Sequence, residues 1–283
     1  MGPVISTDEA RRLLAAEPPP VVLDVRWRLA GPSGRQDYDA GHLPGAVFVD
    51  LDAELAAPPG TGGRHPLPDP DAVQASLRAA GVCSGRAVLV YDADNGSVAA
   101  RAWWLLRWAG HPQVMVLDGG YAAWAAEGHP VSTATSRPEP GDIEVVPGQM
   151  PVVDPDRAAQ VAREGTLFDA RAPERYRGET EPIDPRAGHV PGAINAPFTE
   201  HVDGDGRWRA PEDLARRFRD LGIDESAPVA AYCGSGVTAC SVLLAMEHAG
   251  ISGAGEGPAL FPGSWSQWSS DPTRPVRTGP EPG

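Results

Sequence analysis

The sequence predicts an α/β protein with two tandem domains, each a mainly parallel sheet flanked by helices, joined by an extended linker. Three observations support this fold class. The chain of 283 residues exceeds the usual size of one domain. Much of the first half recurs in the second half. Each half alternates short apolar runs with amphipathic segments, which is typical of parallel sheets covered by helices on both faces.

The duplication includes a turn motif, G-H-[LV]-P-G-A, that follows the first long apolar run of each half. Three pairs of segments correspond between the halves: 21–50 with 166–197, 86–110 with 227–250, and 118–124 with 262–268. Because the matching segments keep the same order, the sequence predicts two copies of one fold.

The elements of each half follow in the same order. Both halves open on a helix with an acidic first turn and helical apolar spacing, DEARRLLAA in the first and DPDRAAQVARE in the second. Strands follow, and a later strand of each half leads into a second helix. The predicted strands lie around 21–25, 87–91, 167–170 and 228–232, and the helices that follow lie at about 98–109 and 237–249.

Composition sets the predicted domain boundaries. The two domains are expected at 4–130 and 153–270. Residues 131–152 are rich in Pro, Ser, Thr and Gly and predict an extended linker. Residues 271–283 have the same composition and predict a loosely ordered tail.

Charge and cysteine usage exclude several classes of partner. The chain has 24 basic and 38 acidic side chains, a formal net charge of −14, which repels nucleic acid and anionic lipid surfaces. The three cysteines show no C-x-x-C spacing, so we expect no metal site, no cofactor and a reducing compartment. No stretch resembles a signal peptide or reaches about 18 continuous apolar residues, so we expect a cytoplasmic protein that does not enter a membrane.

Cys233 lies where ligand sites occur in such sheets, just beyond the carboxyl end of a predicted strand. Its counterpart in the first half is Asp92, which cannot attack a sulfur or carbonyl centre as a thiolate can. We therefore predict one active site, in the second half, and an inactive first half. Cys240, inside a predicted helix, and Cys83, in a turn, are expected to be inert.

The residues after Cys233 favour a loop that stabilises a thiolate. Gly234, Ser235 and Gly236 can turn tightly because glycine tolerates positive φ. Backbone N–H groups would then point at the Cys233 sulfur, at the start of a helix beginning near Val237, where negative charge is favoured. The residues expected to bind the donor group in this loop are Gly234, Gly236, Val237 and Thr238.

Two other classes of protein use a similar loop. The string from Gly234, G-x-G-x-x-A, matches the dinucleotide fingerprint, but no convincing strand ending in an acidic residue follows it. Cysteine-dependent phosphatases bind the phosphoryl oxygens with an arginine at the position that is Ala239 here. The sequence therefore favours a smaller or differently charged group at the sulfur.

Over roughly residues 4–270, these motifs together resemble the two-domain rhodanese, or sulfurtransferase, family: the tandem halves, the repeated turn, the CGSGVTA loop and GSWSQW near the C-terminus. The resemblance implies rhodanese-like domains and a ping-pong reaction. Cys233 would take a sulfane sulfur as a persulfide and pass it to a thiophilic acceptor such as thioredoxin, another thiol or cyanide. The uncharged loop is similar to that of 3-mercaptopyruvate sulfurtransferases, which release pyruvate, because thiosulfate-preferring members carry basic residues after the cysteine.

The resemblance also implies roles for residues outside the loop. Arg175 matches the family arginine that grips the anionic end of the substrate, and Arg186 is a candidate second clamp, two residues further along than the family pattern. His42 corresponds to a histidine that the family presents to the active site, where it could relay a proton with nearby Asp37. His189 occupies the same place in the second half, which favours a structural role for this histidine.

Ser235 can be read in two ways, as a hydroxyl that helps move the proton of a substrate thiol or as a small loop residue. Three functions stay open for the whole chain. The first is sulfur transfer from 3-mercaptopyruvate, with thiosulfate as a secondary donor. The second is thiosulfate:cyanide sulfur transfer, and the third is a non-catalytic module that carries persulfide sulfur to a partner or regulates it.

Overall fold

The computed structural model describes residues 2–283, which form two compact units. Each unit is built mostly from one half of the chain but includes a short segment of the other half. The N-terminal unit extends to Ala57 and includes Pro68–Gln149 and Asp203–Trp208, and the C-terminal unit comprises Pro58–Leu67, Met150–Val202 and Arg209–Gly283. Two contiguous domains were expected from composition, which carries no information about such an exchange of segments.

The N-terminal unit is a five-stranded sheet with helices, in the strand order β1-β5-β4-β2-β3 and with every pairing parallel. Its strands are β1 (Val4–Ile5), β2 (Val21–Asp24), β3 (Val47–Phe48), β4 (Val88–Tyr91) and β5 (Val114–Leu117). Its helices are α1 (Thr7–Leu14), α2 (Gly34–Ala40), α3 (Leu51–Glu54), α4 (Pro70–Ala79), α5 (Ala99–Trp108) and α6 (Gly120–Ala126).

The C-terminal unit is a four-stranded parallel sheet in the order β7-β6-β8-β9. Its strands are β6 (Thr166–Asp169), β7 (Ile194–Asn195), β8 (Val229–Tyr232) and β9 (Ala259–Leu260). Its helices are α7 (Pro155–Glu164), α8 (Pro173–Tyr176), α9 (Pro211–Asp220), α10 (Ala239–His248) and α11 (Ser264–Ser270), with a 3-10 helix at Phe198–His201. The predicted fold class, two tandem units with parallel sheets and helices, is confirmed.

Local sequence explains where several helices begin. Ser6 caps α1 in a reciprocal arrangement: its side chain accepts the Glu9 N–H, and the Glu9 carboxylate accepts the Ser6 N–H. The first helical residue of α4, α7 and α9 is a proline, Pro70, Pro155 and Pro211, which loses no helical hydrogen bond there.

The central strands position the residues that follow them. Every residue of β4, VLVY, and of β8, VAAY, is buried, which accounts for their continuous apolar character. Asp92 follows β4 and Cys233 follows β8, so both lie at the carboxyl end of a central strand. This is the edge of a parallel sheet at which ligands bind.

The segment between the halves is held against the N-terminal unit by backbone hydrogen bonds. Ile143 is buried, and its N–H donates to Val82 O at 3.2 Å. The Val146 N–H donates to Ala109 O at 3.0 Å. The linker is therefore attached to a packed surface.

The chain after Trp268 differs from the loosely ordered tail that its composition predicts. His189 and Arg277 exchange two backbone hydrogen bonds of 2.8 and 3.0 Å, and Gly192 N–H donates to Pro282 O at 2.7 Å. These bonds tie the tail to the C-terminal unit, because the backbone of the second G-H-x-P-G-A turn offers it partners.

Candidate active site

Cys233 is buried directly after β8, with 2% of its surface exposed. The Gly236 N–H donates a hydrogen bond to Cys233 Sγ at 3.1 Å, so the loop folds back over the side chain of the cysteine that begins it. An amide donor at this distance favours negative charge on the sulfur. The loop leads through Val237 and Thr238 into α10, and Val237 is buried.

Helix α11 fixes the backbone of this loop from the other side. The N–H groups of Trp265 and Ser266 donate to Cys233 O and Gly234 O, each at 2.9 Å. The Cys233 N–H in turn donates to Ser264 Oγ at 3.1 Å. Ser264 has φ of 52°, an uncommon value for a residue with a side chain. These hydrogen bonds direct the carbonyl groups of Cys233 and Gly234 toward α11.

Gly236 is required by close approach as well as by conformation. Its φ is 82°, and a Cβ atom built on it would lie 2.3 Å from Pro262 O. Since that oxygen belongs to the backbone, no rotation of a side chain relieves the contact. The amide that faces Cys233 Sγ therefore depends on glycine.

His65 and Ser235 form a hydrogen-bonded pair beside the cysteine loop. His65 Nδ1 lies 2.7 Å from Ser235 Oγ, and each residue is 7% exposed. The histidine comes from Pro58–Leu67, the segment that the first half contributes to the C-terminal unit. An imidazole at this distance can pass a proton to or from the hydroxyl.

Two guanidinium groups lie over Gly234, next to the cysteine. A Cβ atom on Gly234 would be 2.9 Å from Arg64 Nη2 and 3.5 Å from Arg175 Nη1. We call Arg64 and Arg175 the arginine pair. Because guanidinium binds carboxylates and other oxyanions through paired N–H donors, the arginine pair can hold an anion above the loop. The predicted residue Arg175 is therefore at the loop.

Two buried carboxylates hold the arginine pair in place. Asp184 forms ion pairs with Arg64 and, at 3.2 Å, with Arg175 Nη2. Glu181 Oε1 lies 2.6 Å from Arg175 Nη2, and Glu181 Oε2 lies 3.4 Å from Arg171 Nη1. Burial raises the pKa of Asp184, and the Arg64 charge opposes that rise.

The structure does not bring Arg186 to the loop. Its Nε, Nη1 and Nη2 donate to the backbone carbonyls of Ser269, Arg274, Trp268 and Asp271, at 2.5–3.0 Å. The guanidinium thus satisfies backbone carbonyls in the last turn of α11 and in the segment that follows it. The prediction of a second clamp at this residue is corrected, because these four bonds occupy most of its donors, and Arg64 lies at the loop instead.

The structure does not give His42 the proton-relay role that the resemblance implies. It is fully buried in the N-terminal unit, its Nδ1 faces Tyr38 O at 2.8 Å, and its Nε2 faces Ala134 O at 3.1 Å. His189 repeats the contact, with Nδ1 2.8 Å from Tyr176 O. Both histidines brace a G-H-x-P-G-A turn, as the duplication suggested.

Asp37 also has a partner other than His42. Its carboxylate pairs with Arg28 on the surface of the N-terminal unit, and the two side chains are 31% and 39% exposed. The predicted assistance to His42 is therefore corrected: the nearest partner of the carboxylate is a guanidinium, not the imidazole.

The side chain of Asp92 accepts hydrogen bonds from the loop that follows it in the N-terminal unit. Its Oδ1 accepts the N–H groups of Asp94 and Gly96 at 3.2 and 2.9 Å, and its Oδ2 accepts those of Val98 and Ala99 at 2.9 and 3.0 Å. Burial raises the pKa of the carboxyl group, and these amides oppose that rise. The amides that would stabilise a bound anion are thus occupied by the side chain.

The other two cysteines have surroundings different from those of Cys233. Cys240 Sγ lies inside α10, 3.4 Å from Gly236 O, and Cys83 Sγ lies 3.5 Å from Gly81 O. Within residues 2–283, no group of three or more His, Cys, Asp or Glu side chains could hold a metal ion. Nor does any helix of that range have the length and apolarity needed to span a bilayer.

Arg64 and His65 were missed because the sequence analysis considered, from the first half, only the residues at the repeated turn, His42 and Asp37. The duplication contained a further correspondence that could have found them: GRHPLPDPD at 63–71 matches GRWRAPED at 206–213. Each stretch ends in the first residues of a helix, α4 or α9. These stretches overlap the two exchanged segments, Pro58–Leu67 and Asp203–Trp208. Aligning them would have paired Arg64-His65 with Arg207-Trp208.

The chain is similar to known proteins over nearly its whole length. The Rhodanese-like domain family matches residues 6–127 and 154–271. A probable 3-mercaptopyruvate sulfurtransferase of Pseudomonas aeruginosa is 47% identical over 274 residues, covering 93% of this chain and 94% of its own length. A putative thiosulfate sulfurtransferase of Mycobacterium tuberculosis, SseB, is 44% identical over 284 residues, covering 98% and 97%.

The crystal structure of SseA from Escherichia coli, described as a 3-mercaptopyruvate sulfotransferase with the rhodanese fold, has the same architecture. It matches with a TM-score of 0.81 at 30% identity, over 94% of this chain and 100% of that one. The agreement therefore extends over both units and the segments between them.

Proposed function

This chain belongs to the rhodanese-like family and is a sulfurtransferase, and from that premise we propose that its sulfur donor is 3-mercaptopyruvate. One observation carries the proposal: the arginine pair and a hydroxyl–imidazole pair lie at the same cysteine loop. 3-Mercaptopyruvate has a carboxylate for the arginine pair, and its carbon must gain a proton that Ser235 can supply. Its sulfur can then reach Cys233.

The first half-reaction transfers sulfur to the enzyme. The Cys233 thiolate attacks the thiol sulfur of the donor, an S–S bond forms, and the C–S bond breaks. The electron pair of that bond leaves on carbon as the enolate of pyruvate, while the thiol proton stays on the outer sulfur of the persulfide. The enolate takes a proton from Ser235 Oγ, which His65 replenishes, and leaves as pyruvate.

The second half-reaction restores the enzyme. A thiophilic acceptor, such as the thiolate of thioredoxin, another thiol or cyanide, attacks the outer sulfur of the persulfide. The S–S bond breaks and its electron pair returns to Cys233 as a thiolate, which the Gly236 N–H stabilises.

A second candidate function has its own support. Arg64 brings a guanidinium to the loop at Gly234, where thiosulfate-preferring members of the family carry basic residues in the loop itself. The relative from Mycobacterium tuberculosis is described as a putative thiosulfate sulfurtransferase. Thiosulfate is accordingly the alternative donor.

The donor proposal predicts that 3-mercaptopyruvate is used with a higher kcat/KM than thiosulfate. The reason is that Ser235 and His65 serve a donor that exchanges a proton, and thiosulfate has none to exchange. The test is steady-state sulfur transfer from each donor to cyanide and to a dithiol, with pyruvate measured as the co-product. A higher kcat/KM for thiosulfate would contradict the donor assignment in favour of the alternative.

We expect His65→Asn to separate the two donors. An asparagine amide can keep a hydrogen bond to Ser235 Oγ but cannot transfer a proton, so turnover of 3-mercaptopyruvate should fall about 100-fold. Turnover of thiosulfate should change by no more than a few-fold. Ser235→Ala should show the same pattern. Equal losses with both donors would mean that the histidine only supports the loop.

A further inference from the structure

Asp184 is a buried carboxylate held by the same two guanidinium groups that face the cysteine loop. Its side chain is 3% exposed and pairs with Arg64 Nη1 and, at 3.2 Å, with Arg175 Nη2. The exposed fractions of the two arginine side chains are 24% and 18%, so both also face solvent at the mouth of the site. An internal carboxylate therefore already uses part of the anion-binding capacity of the arginine pair.

The arginine pair is part of a longer chain of buried charges that sums to zero. Asp169 pairs with Arg171 at 2.6 Å, Arg171 with Glu181 at 3.4 Å, and Glu181 with Arg175 at 2.6 Å, before Asp184 joins Arg175 to Arg64. The six members are Asp169, Arg171, Glu181, Arg175, Asp184 and Arg64. An entering anion thus meets guanidinium donors in fixed positions but no surplus of positive charge.

A group of charges that sums to zero is expected to bind the two donors with different affinities, because the donors carry different charges. 3-Mercaptopyruvate carries one negative charge at neutral pH, on its carboxylate, because its thiol is mostly protonated. Thiosulfate carries two. The Coulomb energy of an anion in a given field is proportional to its charge, so a negative group in the site disfavours thiosulfate about twice as strongly.

We propose that Asp184 is a specificity-determining residue that makes the site favour monoanionic keto-acid thiols over dianionic donors. The inference rests on the proposed function, because it assigns the arginine pair to the donor anion. Asp184 acts on the donor through the arginines, so it is a positioning residue and not a catalytic one.

Asp184 can be changed with less disturbance than its neighbour Glu181. Glu181 Oε1 accepts the backbone N–H groups of Ile183 and Asp184, each at 3.1 Å, and so shapes the turn that presents Asp184. The Asp184 carboxylate contacts the two arginine side chains. Replacing it by the isosteric amide removes the charge and keeps the volume.

The first test is Asp184→Asn, with kcat/KM measured for both donors. We expect the ratio of thiosulfate to 3-mercaptopyruvate to rise about tenfold, because the added net positive charge helps the dianion more. Glu179→Gln is the matched control: it changes the net charge equally and lies in the same loop, but its partner Arg177 is on the surface. The control ratio should stay within about twofold. An unchanged or lower ratio in Asp184→Asn overturns the proposal.

A binding measurement keeps this test independent of catalysis. Calorimetric titration of Cys233→Ser and of Cys233→Ser/Asp184→Asn compares sulfate, a dianion, with pyruvate, a monoanion. The proposal expects sulfate to gain more affinity than pyruvate in the double variant, and any other result overturns it. If the wild-type protein used no 3-mercaptopyruvate, the proposed function would fail while this comparison still decided the role of Asp184.

Discussion

Cys233→Ser is expected to lower sulfur transfer from either donor by at least about a thousand-fold. The substitution leaves a small side chain that can still accept the Gly236 N–H, but a serine hydroxyl is not ionised at neutral pH and cannot form a persulfide. Steady-state assays with both donors measure the loss. Intact-protein mass spectrometry after mixing with donor alone should show one added sulfur atom in the wild type and none in the variant.

The matched controls are the other two cysteines. Cys240→Ala and Cys83→Ala should keep the added sulfur atom and most of the activity, because their thiols contact the backbone carbonyls of Gly236 and Gly81 and do not receive the Gly236 N–H. Persulfide on Cys233→Ser, or loss of persulfide in either control, would show that the nucleophile had been assigned to the wrong residue.

Gly236→Ala is expected to lower activity by about 100-fold or more, since a small displacement of a positioned group is enough for a loss of that size. The added methyl group would lie 2.3 Å from Pro262 O, so the loop must move and carry the N–H away from Cys233 Sγ. The same clash, added to the positive φ of 82°, should reduce the free energy of unfolding by about 3 kcal/mol. Chemical denaturation and the donor assays measure the two effects.

Gly222→Ala separates backbone strain from the clash. Gly222 has almost the same φ, 83°, but a Cβ atom there would meet nothing within 4 Å. It should lose only about 1–2 kcal/mol of stability, with normal activity. If the two alanine variants behaved alike, the contact with Pro262 would not be what requires glycine in the active loop.

Local sequence was sufficient to predict the fold and the position of Cys233 at the end of a central strand. The buried run VAAY followed by CGSGVTA places Cys233 at the end of a central strand and before a helix, and the structure has that order. Asp92 has the equivalent position after β4, because strand, loop and helix are contiguous in both halves. Parallel sheets bring such loops to one edge, so no long-range information was needed.

The side chains around Cys233 could not be predicted in the same way. His65 reaches Ser235 across 170 positions of sequence, and its neighbour Arg64 reaches Asp184 across 120. Arg186 lies close to Arg175 in sequence, but its donors turn to the end of α11. The positions of these side chains depend on how distant segments pack, which the residue pattern of a single half does not encode.

The exchanged segments make the two copies of the duplicated fold dependent on each other. In this chain the first half contributes Pro58–Leu67, with Arg64 and His65, to the unit that contains Cys233. Deleting the first half would remove these side chains from the C-terminal unit. Asp203–Trp208 makes the reverse contribution, as the Trp208 N–H donates to Asp118 Oδ1 at 2.8 Å. Neither half of the chain therefore supplies every segment of its own unit, so removing one half would leave the other unit incomplete.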